Sequence, residues 1–242
     1  FARYFELVDT AEAEYVVVIA VISGMEGNDR ENLFLAREDL DILAKLKKQN
    51  KNVILVLNTC GPIDMREIET ENVKTVFCTF LPGMAGAKAL SDMIAGVVNP
   101  SGKLTITFPE RLEDAPTYMN FPGEGYHVNY GEGIYIGYRY YDKKKIHPRY
   151  AFGHGLSYTS FACTLDHVTS DTEKITVKVT VTNTGDCVGS EVVQIYIHDP
   201  YSTLPKPEKE LKAFEKVKLA PGEKKTIVFE IPTSKLASYD MD

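Results

Sequence analysis

The sequence has few cysteines, few histidines and no excess of positive charge, and each shortage argues against a class of protein. Its 242 residues include 4 cysteines and 5 histidines. No two cysteines form a C-x-x-C pair, so a zinc site is not expected. So few cysteines in a chain of this length also make a disulfide framework improbable and favour a reducing, cytoplasmic compartment. The formal net charge of −7 argues against nucleic acid and anionic membranes as partners, because both attract basic surfaces.

Long apolar runs are also missing. The longest, Tyr15 to Ile22, is far shorter than the ~20 residues that span a bilayer. The first residues lack the basic and then apolar design of a signal peptide. Because the sequence does not begin with methionine, we expect it to be a fragment or a processed piece, which takes most of the force from the missing signal.

Apolar β-runs alternate with helix-like stretches in residues 1 to about 110. Tyr15 to Val21 is rich in β-branched residues and has no polar alternation, which is typical of a strand buried on both faces. Arg37 to Lys48 has leucines at helical spacing. Three more elements follow: apolar runs at Val53–Leu57 and Val73–Phe80, and a helix of small residues at Gly86–Ala95. This order predicts an α/β layer with a mostly parallel sheet.

From about residue 156 the hydrophobic period becomes two. Apolar residues alternate with polar ones in three segments: 175–182, 193–198 and 227–231. Half-buried strands separated by Asn, Gly and Pro turns predict an antiparallel β-sandwich.

Residues 116–155 hold a cluster of tyrosines and glycines without a helical period. Flexible linkers are poor in aromatic residues, so we expect an ordered connecting segment. The predicted domains are therefore an α/β domain at 1–115, this segment, and an all-β domain at 156–242. We expect the first domain to be incomplete at its N-terminal end and the last at its C-terminal end.

The loop that follows the first apolar run contains the strongest candidate for chemistry. Two glycines flank Glu26, and the pair Asp29 and Arg30 follows. Ligands of open α/β sheets gather at the carboxyl ends of the strands, so this loop could project Glu26 into a cleft while Asp29 and Arg30 brace it. On spacing alone, an ordinary surface loop is the more frequent explanation, because glycine and acidic residues are common in such loops.

The stretch from Glu26 to Arg30 resembles the E-G-x-D-R loop of glycoside hydrolase family 3. Further motifs resemble that family in the same order: Pro82–Gly86, Asn99–Leu104, Tyr130–Tyr141, Phe152–Thr159, Val181–Gly185 and Lys209–Phe214. The collinear set covers nearly the whole chain and is far more specific than any one motif. The chain thus resembles the C-terminal part of a β-glucosidase-type enzyme, which implies a three-layer α/β sandwich followed by a fibronectin type III-like sandwich.

The resemblance implies retaining hydrolysis of a terminal β-linked glucosyl residue, with no cofactor and no metal. Such a reaction needs two carboxyl groups about 5–5.5 Å apart. In this family the nucleophile is an aspartate on a (β/α)8 barrel, and Glu26 matches the general acid/base. Asp29 and Arg30 match residues that support the loop. The implied partners are a β-glucoside or oligosaccharide and the barrel of the same enzyme, while self-association is left open.

The sequence departs from the family pattern in two ways. Ala36 stands where proline is usual and Asp39 where glutamine is common, and both changes concern packing on the following helix. No barrel is present in the chain, so we expect the chain alone to be inert.

The sequence also allows two other interpretations. The first is a non-catalytic carbohydrate-binding or scaffolding module, in which tyrosines of residues 126–141 could stack on a sugar ring, although an interdomain core is the favoured role for them. The second is a nucleotide-binding α/β protein. It fits poorly, because Glu26 would repel a phosphate at the place where a phosphate loop is needed.

Overall fold

The computed structural model describes residues 12–22, 24, 26–27, 29–69 and 73–239. These residues form two compact units, each assembled from three stretches of chain. The first unit contains the described residues of Phe1–Val98, Thr105–Gly131 and Ile146–Phe152. The second contains those of Asn99–Leu104, Glu132–Lys145 and Gly153–Asp242.

The first unit is built on a parallel sheet. Its three strands, β1 (Tyr15–Ile22), β2 (Asn52–Thr59) and β3 (Val73–Cys78), lie in the order β1-β2-β3. The accompanying helices are α1 (Arg37–Lys48), α2 (Arg66–Glu69) and α3 (Gly86–Ile94), with a 3₁₀ turn at Leu112–Asp114. The predicted parallel sheet is confirmed. Within the described ranges, none of the helices is long and apolar enough to cross a membrane.

Helix α1 forms because its apolar side chains share one face. Leu40, Leu43 and Leu46 are buried at the i, i+3 spacing that places side chains on the same side of a helix. Acidic residues in its first turn and lysines in its last turn complement the helix dipole. The predicted bounds of this helix are confirmed.

Strand β1 is less buried than its composition predicts. Val18 and Ala20 are buried, but Tyr15, Ile19 and Val21 are exposed, and Val21 keeps 66% of its accessible surface. β1 is an edge strand of the described sheet, and no described element covers the face that carries Tyr15, Ile19 and Val21. The prediction that β1 is buried on both faces is therefore wrong for this chain, whereas most of central β2 is buried.

The second unit is an antiparallel β-sandwich, as predicted. One sheet has the order β4 (Phe161–Ser170), β5 (Lys174–Asn183), β8 (Lys224–Pro232), and the other pairs β6 (Gly189–Ile197) with β7 (Glu210–Leu219). A short 3₁₀ helix, Thr233–Leu236, follows β8. The core between the sheets takes residues from both: Val177, Val179, Val181, Val193, Val217, Leu219, Ile227 and Phe229.

The tyrosine- and glycine-rich segment contains a short helix that the sequence did not predict. Helix α4, Tyr138–Lys144, has seven residues, which is too short for a hydrophobic period to be visible. Gly137 before it has φ +56° and Lys145 after it has φ +55°, so the chain turns sharply at both ends. The predicted domain boundaries at 115 and 155 stay predictions.

Candidate active site

Glu26 lies in an exposed turn just beyond the carboxyl end of β1. It and Gly27 form the turn, and both are exposed. Gly27 has φ +78°, a left-handed conformation that a residue with a side chain adopts only at a cost. The glycine therefore allows the tight turn directly after the carboxylate, and the turn leaves that carboxylate open to a ligand.

The N-terminal end of this loop packs against the loop that follows β2. A Cβ atom placed on Gly24 would lie 2.5 Å from Sγ of Cys60 and 3.2 Å from its Cβ. Cys60 is the first residue after β2. Only glycine fits at position 24 unless Cys60 moves.

The C-terminal end of the loop contacts the same neighbour. Nη1 of Arg30 donates a hydrogen bond of 3.0 Å to the carbonyl oxygen of Pro62. Its Nη2 is buried and has no hydrogen-bond partner among the described residues. Burial lowers the pKa of Arg30, and the adjacent Cys60 partly offsets this effect. Asp29 is exposed, so the supporting role predicted for it and for Arg30 stays a prediction.

Further bonds hold the β2 loop in shape. Thr59 is fully buried, and its hydroxyl donates to the carbonyl of Gly61 (2.7 Å) and accepts from the amide of Gly61 (3.2 Å). The amide of Asp64 donates to the carbonyl of Leu33 (2.8 Å). The two loops are thus joined at several points.

The sequence did not identify Cys60, Pro62 and Asp64 as residues that contact the loop carrying Glu26. The composition of Asn58–Pro62, with its Asn, Gly and Pro, predicts a turn and nothing more. A signal was available, because neighbouring parallel strands end at the same edge of a sheet. The turn after β2 should therefore lie beside the loop after β1.

The tyrosines of the connecting segment differ in their surroundings. Tyr141 is buried, and Tyr138 meets Tyr196 edge to face with ring centroids 5.7 Å apart. Tyr126 and Tyr130 are exposed. The expected core role is thus wrong for Tyr126 and Tyr130 in this chain.

Glu26 offers an exposed carboxyl group that could transfer a proton. A retaining glycosidase needs a second carboxyl group within about 5.5 Å of it. Across the described residues there is no group of three or more His, Cys, Asp and Glu side chains arranged to hold a metal ion.

Known families and proteins resemble this chain along most of its length. The family model of the glycosyl hydrolase family 3 C-terminal domain matches residues 6–158, and that of the fibronectin type III-like domain matches residues 191–242. The thermostable beta-glucosidase B of Acetivibrio thermocellus is 43% identical over 219 residues, which are 89% of this chain and 29% of that protein. A beta-glucosidase of Rhizobium radiobacter is 39% identical over 250 residues, covering 98% of this chain and 30% of that protein.

Solved structures show the same relation. Beta-glucosidase 3B from Thermotoga neapolitana, in complex with glucose, superposes with a TM-score of 0.88 at 36% identity, over 94% of this chain and 33% of its own. DesR, a beta-glucosidase from Streptomyces venezuelae in complex with D-glucose, superposes with a TM-score of 0.89 at 38% identity, over 96% of this chain and 30% of its own. This chain therefore spans roughly three-tenths of the length of these relatives.

Proposed function

This chain belongs to glycosyl hydrolase family 3, and from that premise we propose that it is the C-terminal part of a retaining, exo-acting β-glucosidase. The enzyme would hydrolyse terminal, non-reducing β-linked glucosyl residues. Glu26 is the general acid/base in this proposal, and the nucleophile belongs to a (β/α)8 barrel outside this chain.

One observation carries the proposal. Glu26 is exposed in a glycine-flanked turn at the carboxyl end of a parallel strand, where ligands of such sheets bind. The names of the relatives support the substrate class, because each is a beta-glucosidase and two were solved with glucose.

The proposed reaction has two steps. In the first, protonated Glu26 gives its proton to the glycosidic oxygen while the bond to the anomeric carbon breaks and the nucleophile forms a glycosyl-enzyme. In the second, the Glu26 carboxylate takes a proton from water, and that water displaces the nucleophile. Two inversions at the anomeric carbon retain its configuration. The exposed position of Glu26 suits both steps, because the same group must meet the leaving group and then a water molecule.

The experiment compares leaving groups in the complete enzyme. Glu26→Gln should lower kcat/KM for phenyl β-glucoside by about 10²- to 10⁴-fold, the range typical of general acid catalysis. It should leave kcat/KM for 2,4-dinitrophenyl β-glucoside within about threefold, because that leaving group departs without a proton. Added azide should form β-glucosyl azide and restore turnover of the dinitrophenyl substrate.

Glu31→Gln is the matched control, since it removes the same charge from an exposed residue of the same loop. We expect it to have little effect on either substrate. If Glu26→Gln lowers kcat/KM for both substrates equally, or no more than Glu31→Gln does, Glu26 is not the acid.

A second function, a carbohydrate-binding module, has one observation in its favour. Tyr126 and Tyr130 are exposed, and aromatic faces can stack on sugar rings. Calorimetric titration of this chain with glucose and cello-oligosaccharides tests it. We expect no binding, because an open surface buries too little of a small ligand; millimolar or tighter binding would favour the module.

A further inference from the structure

We infer that the segment Cys60–Pro62, chiefly through the side chain of Cys60, positions Glu26 for proton transfer. This inference rests on the proposed role of Glu26 as the acid/base. Cys60 itself would not touch the substrate. Its role is to hold the backbone on either side of the turn that carries the carboxyl group.

The first contact is at Gly24, two residues before Glu26. The sulfur of Cys60 occupies the space that a side chain at position 24 would need, since a Cβ there would lie 2.5 Å from it. The thiol therefore lies against the backbone of the loop. If the sulfur is removed, the loop loses this contact and can move into the space.

The second contact is at Arg30, on the other side of the turn. Nη1 of Arg30 donates a hydrogen bond of 3.0 Å to the carbonyl oxygen of Pro62, two residues after Cys60. Gly24 thus lies against Cys60 and Arg30 bonds Pro62, so both ends of the stretch 24–30 contact the segment 60–62, while Glu26 lies between them. A change at Cys60 therefore acts directly at the Gly24 end, and a shift of the segment 60–62 acts at both ends.

The segment 60–62 is firm enough to serve as a support. The buried Thr59 hydroxyl bonds Gly61 on both its amide and its carbonyl, and the ring of Pro62 fixes its φ angle. The Asp64 amide bonds the carbonyl of Leu33 a little further along. The exposed turn at Glu26 is therefore the part that yields when the contact at Cys60 changes.

Catalysis is sensitive to displacements of this size. An acid must lie within hydrogen-bond reach of the oxygen that it protonates. A misplacement of about 1 Å costs on the order of 100-fold in rate. Cys60 is exposed, so loss of its sulfur atom should displace the turn by less than about 1 Å and should cost less than about 100-fold.

The experiment uses the complete enzyme and the two aryl glucosides described above. Cys60→Ala should lower kcat/KM for phenyl β-glucoside about tenfold, with the dinitrophenyl substrate changed less than about twofold, since only the former needs the acid. Cys60→Ser keeps an atom of similar size in place and should stay within about threefold of the parent on both substrates.

A double variant tests the contact directly. Gly24→Ala should lower kcat/KM for the phenyl substrate by about 100-fold, because its Cβ collides with the sulfur. In the double variant Gly24→Ala/Cys60→Ala the sulfur is gone, and the closest remaining contact of the new Cβ is with Cβ of residue 60, at 3.2 Å. The double variant should regain at least about tenfold, because coupled neighbours do not act additively.

Controls separate positioning from loss of fold. Cys163→Ala changes an exposed cysteine on β4, in the other unit, and should leave both substrates unchanged. Thermal unfolding of every variant checks that it folds. A purely structural role for Cys60 would lower activity on both substrates alike and in step with the unfolding temperature.

Two results would overturn the inference. One is Cys60→Ala acting like the parent enzyme on the phenyl substrate, and the other is a double variant no better than Gly24→Ala. Glu26→Gln, measured in parallel, distinguishes a failure of the positioning role of Cys60 from a failure of the proposed role of Glu26. If it is selective for the phenyl substrate and Cys60→Ala is not, only the positioning role fails; if Glu26→Gln is not selective, the proposed function fails.

Discussion

Asp64 is a buried carboxylate whose charge depends on one neighbour. It retains only 2% of its accessible surface. Its oxygens accept from Nε of Arg66 at 3.0 Å and from Nη2 at 2.6 Å, and one also accepts from the Arg66 amide at 3.0 Å. Burial raises the pKa of Asp64, but the hydrogen bonds and charge of Arg66 outweigh this, so the pKa lies below its usual value. The carboxylate thus stays charged and helps to hold the loop after β2.

Replacing this carboxylate should destabilise the first unit in a pH-dependent way. Because the folded pKa is depressed, the contribution is present above the unfolded pKa of about 3.9 and is lost as pH falls through the folded value. Asp64→Asn should cost about 1–3 kcal/mol at pH 7. Urea unfolding at pH 7 and in acid should show the difference between variant and parent shrinking as the pH falls.

Asp41→Asn provides the comparison. Asp41 pairs with Arg37 at 3.2 Å on the exposed surface of α1, where such pairs contribute at most about 1 kcal/mol. A destabilisation by Asp64→Asn that equals that of Asp41→Asn, or that does not change with pH, would contradict this account.

At the level of single residues, the sequence predicted the place of Glu26 but not its support. The loop follows a strand that its composition reveals, and its motif consists of consecutive residues. Strand and motif can therefore both be recognised from the local sequence. Cys60 and Pro62 are distant in the chain, and they meet the loop only because β1 and β2 pair in parallel with Ile22 beside Thr59. That register is a tertiary property. A supporting role for Asp29 likewise depends on tertiary contacts, which the local sequence does not specify.

Among the elements, helix α1 shows how one face of side chains holds the first unit together. Leu43 is fully buried, whereas its neighbour Ile42 keeps 46% of its surface. Leu43→Ala should lower the free energy of unfolding by about 2–5 kcal/mol, the usual cost of an unfilled core cavity. Ile42→Ala should cost less than about 1 kcal/mol. Urea titration of both variants by circular dichroism measures the difference, and equal effects would contradict the assigned packing.

Strands β4 and β5 differ in the number of their neighbours. β5 pairs with both β4 and β8, while β4 pairs with β5 and has no second partner among the described strands. Amides of β5 should therefore exchange with solvent at least about tenfold more slowly than those of β4, because edge amides are open to water. Hydrogen exchange read by NMR tests this. Equal protection would indicate a partner for β4 that the described chain does not contain.

The elements also show why the predictions for some of them succeeded and the prediction for β1 failed. Helix α1 and strands β5 and β8 are each covered on one face, so the periodic spacing of their apolar residues predicts which side chains are buried. The failed prediction concerns β1, whose apolar residues indicate two covered faces. Composition shows that a residue tolerates burial, whereas the surrounding elements decide whether it is covered. In this chain Val21 is exposed despite its type.

For the whole molecule, the prediction concerns how a chain that spans only part of its relatives behaves alone. It spans about 29% of one beta-glucosidase and 30% of another. We expect the 242-residue chain to show no hydrolysis of aryl β-glucosides above the uncatalysed rate, because the proposed mechanism takes only one of its two carboxyl groups from this chain. An assay at high protein concentration measures this. Turnover by the isolated chain that disappears in Glu26→Gln would place the nucleophile within it.

The interleaved path of the chain has a practical consequence for chimeric enzymes. The fibronectin-like unit cannot be exchanged as one contiguous cassette that starts near residue 153, because residues 99–104 and 132–145 also belong to it. The graft would lack Lys103, whose ammonium group contacts Glu191 at 2.8 Å and the Gly155 carbonyl at 2.7 Å. It would also lack Arg139, which pairs with Glu210 at 3.3 Å. A donor segment should therefore include all three stretches. Otherwise residues 99–104 and 132–145 of the recipient should be changed to the donor's sequence.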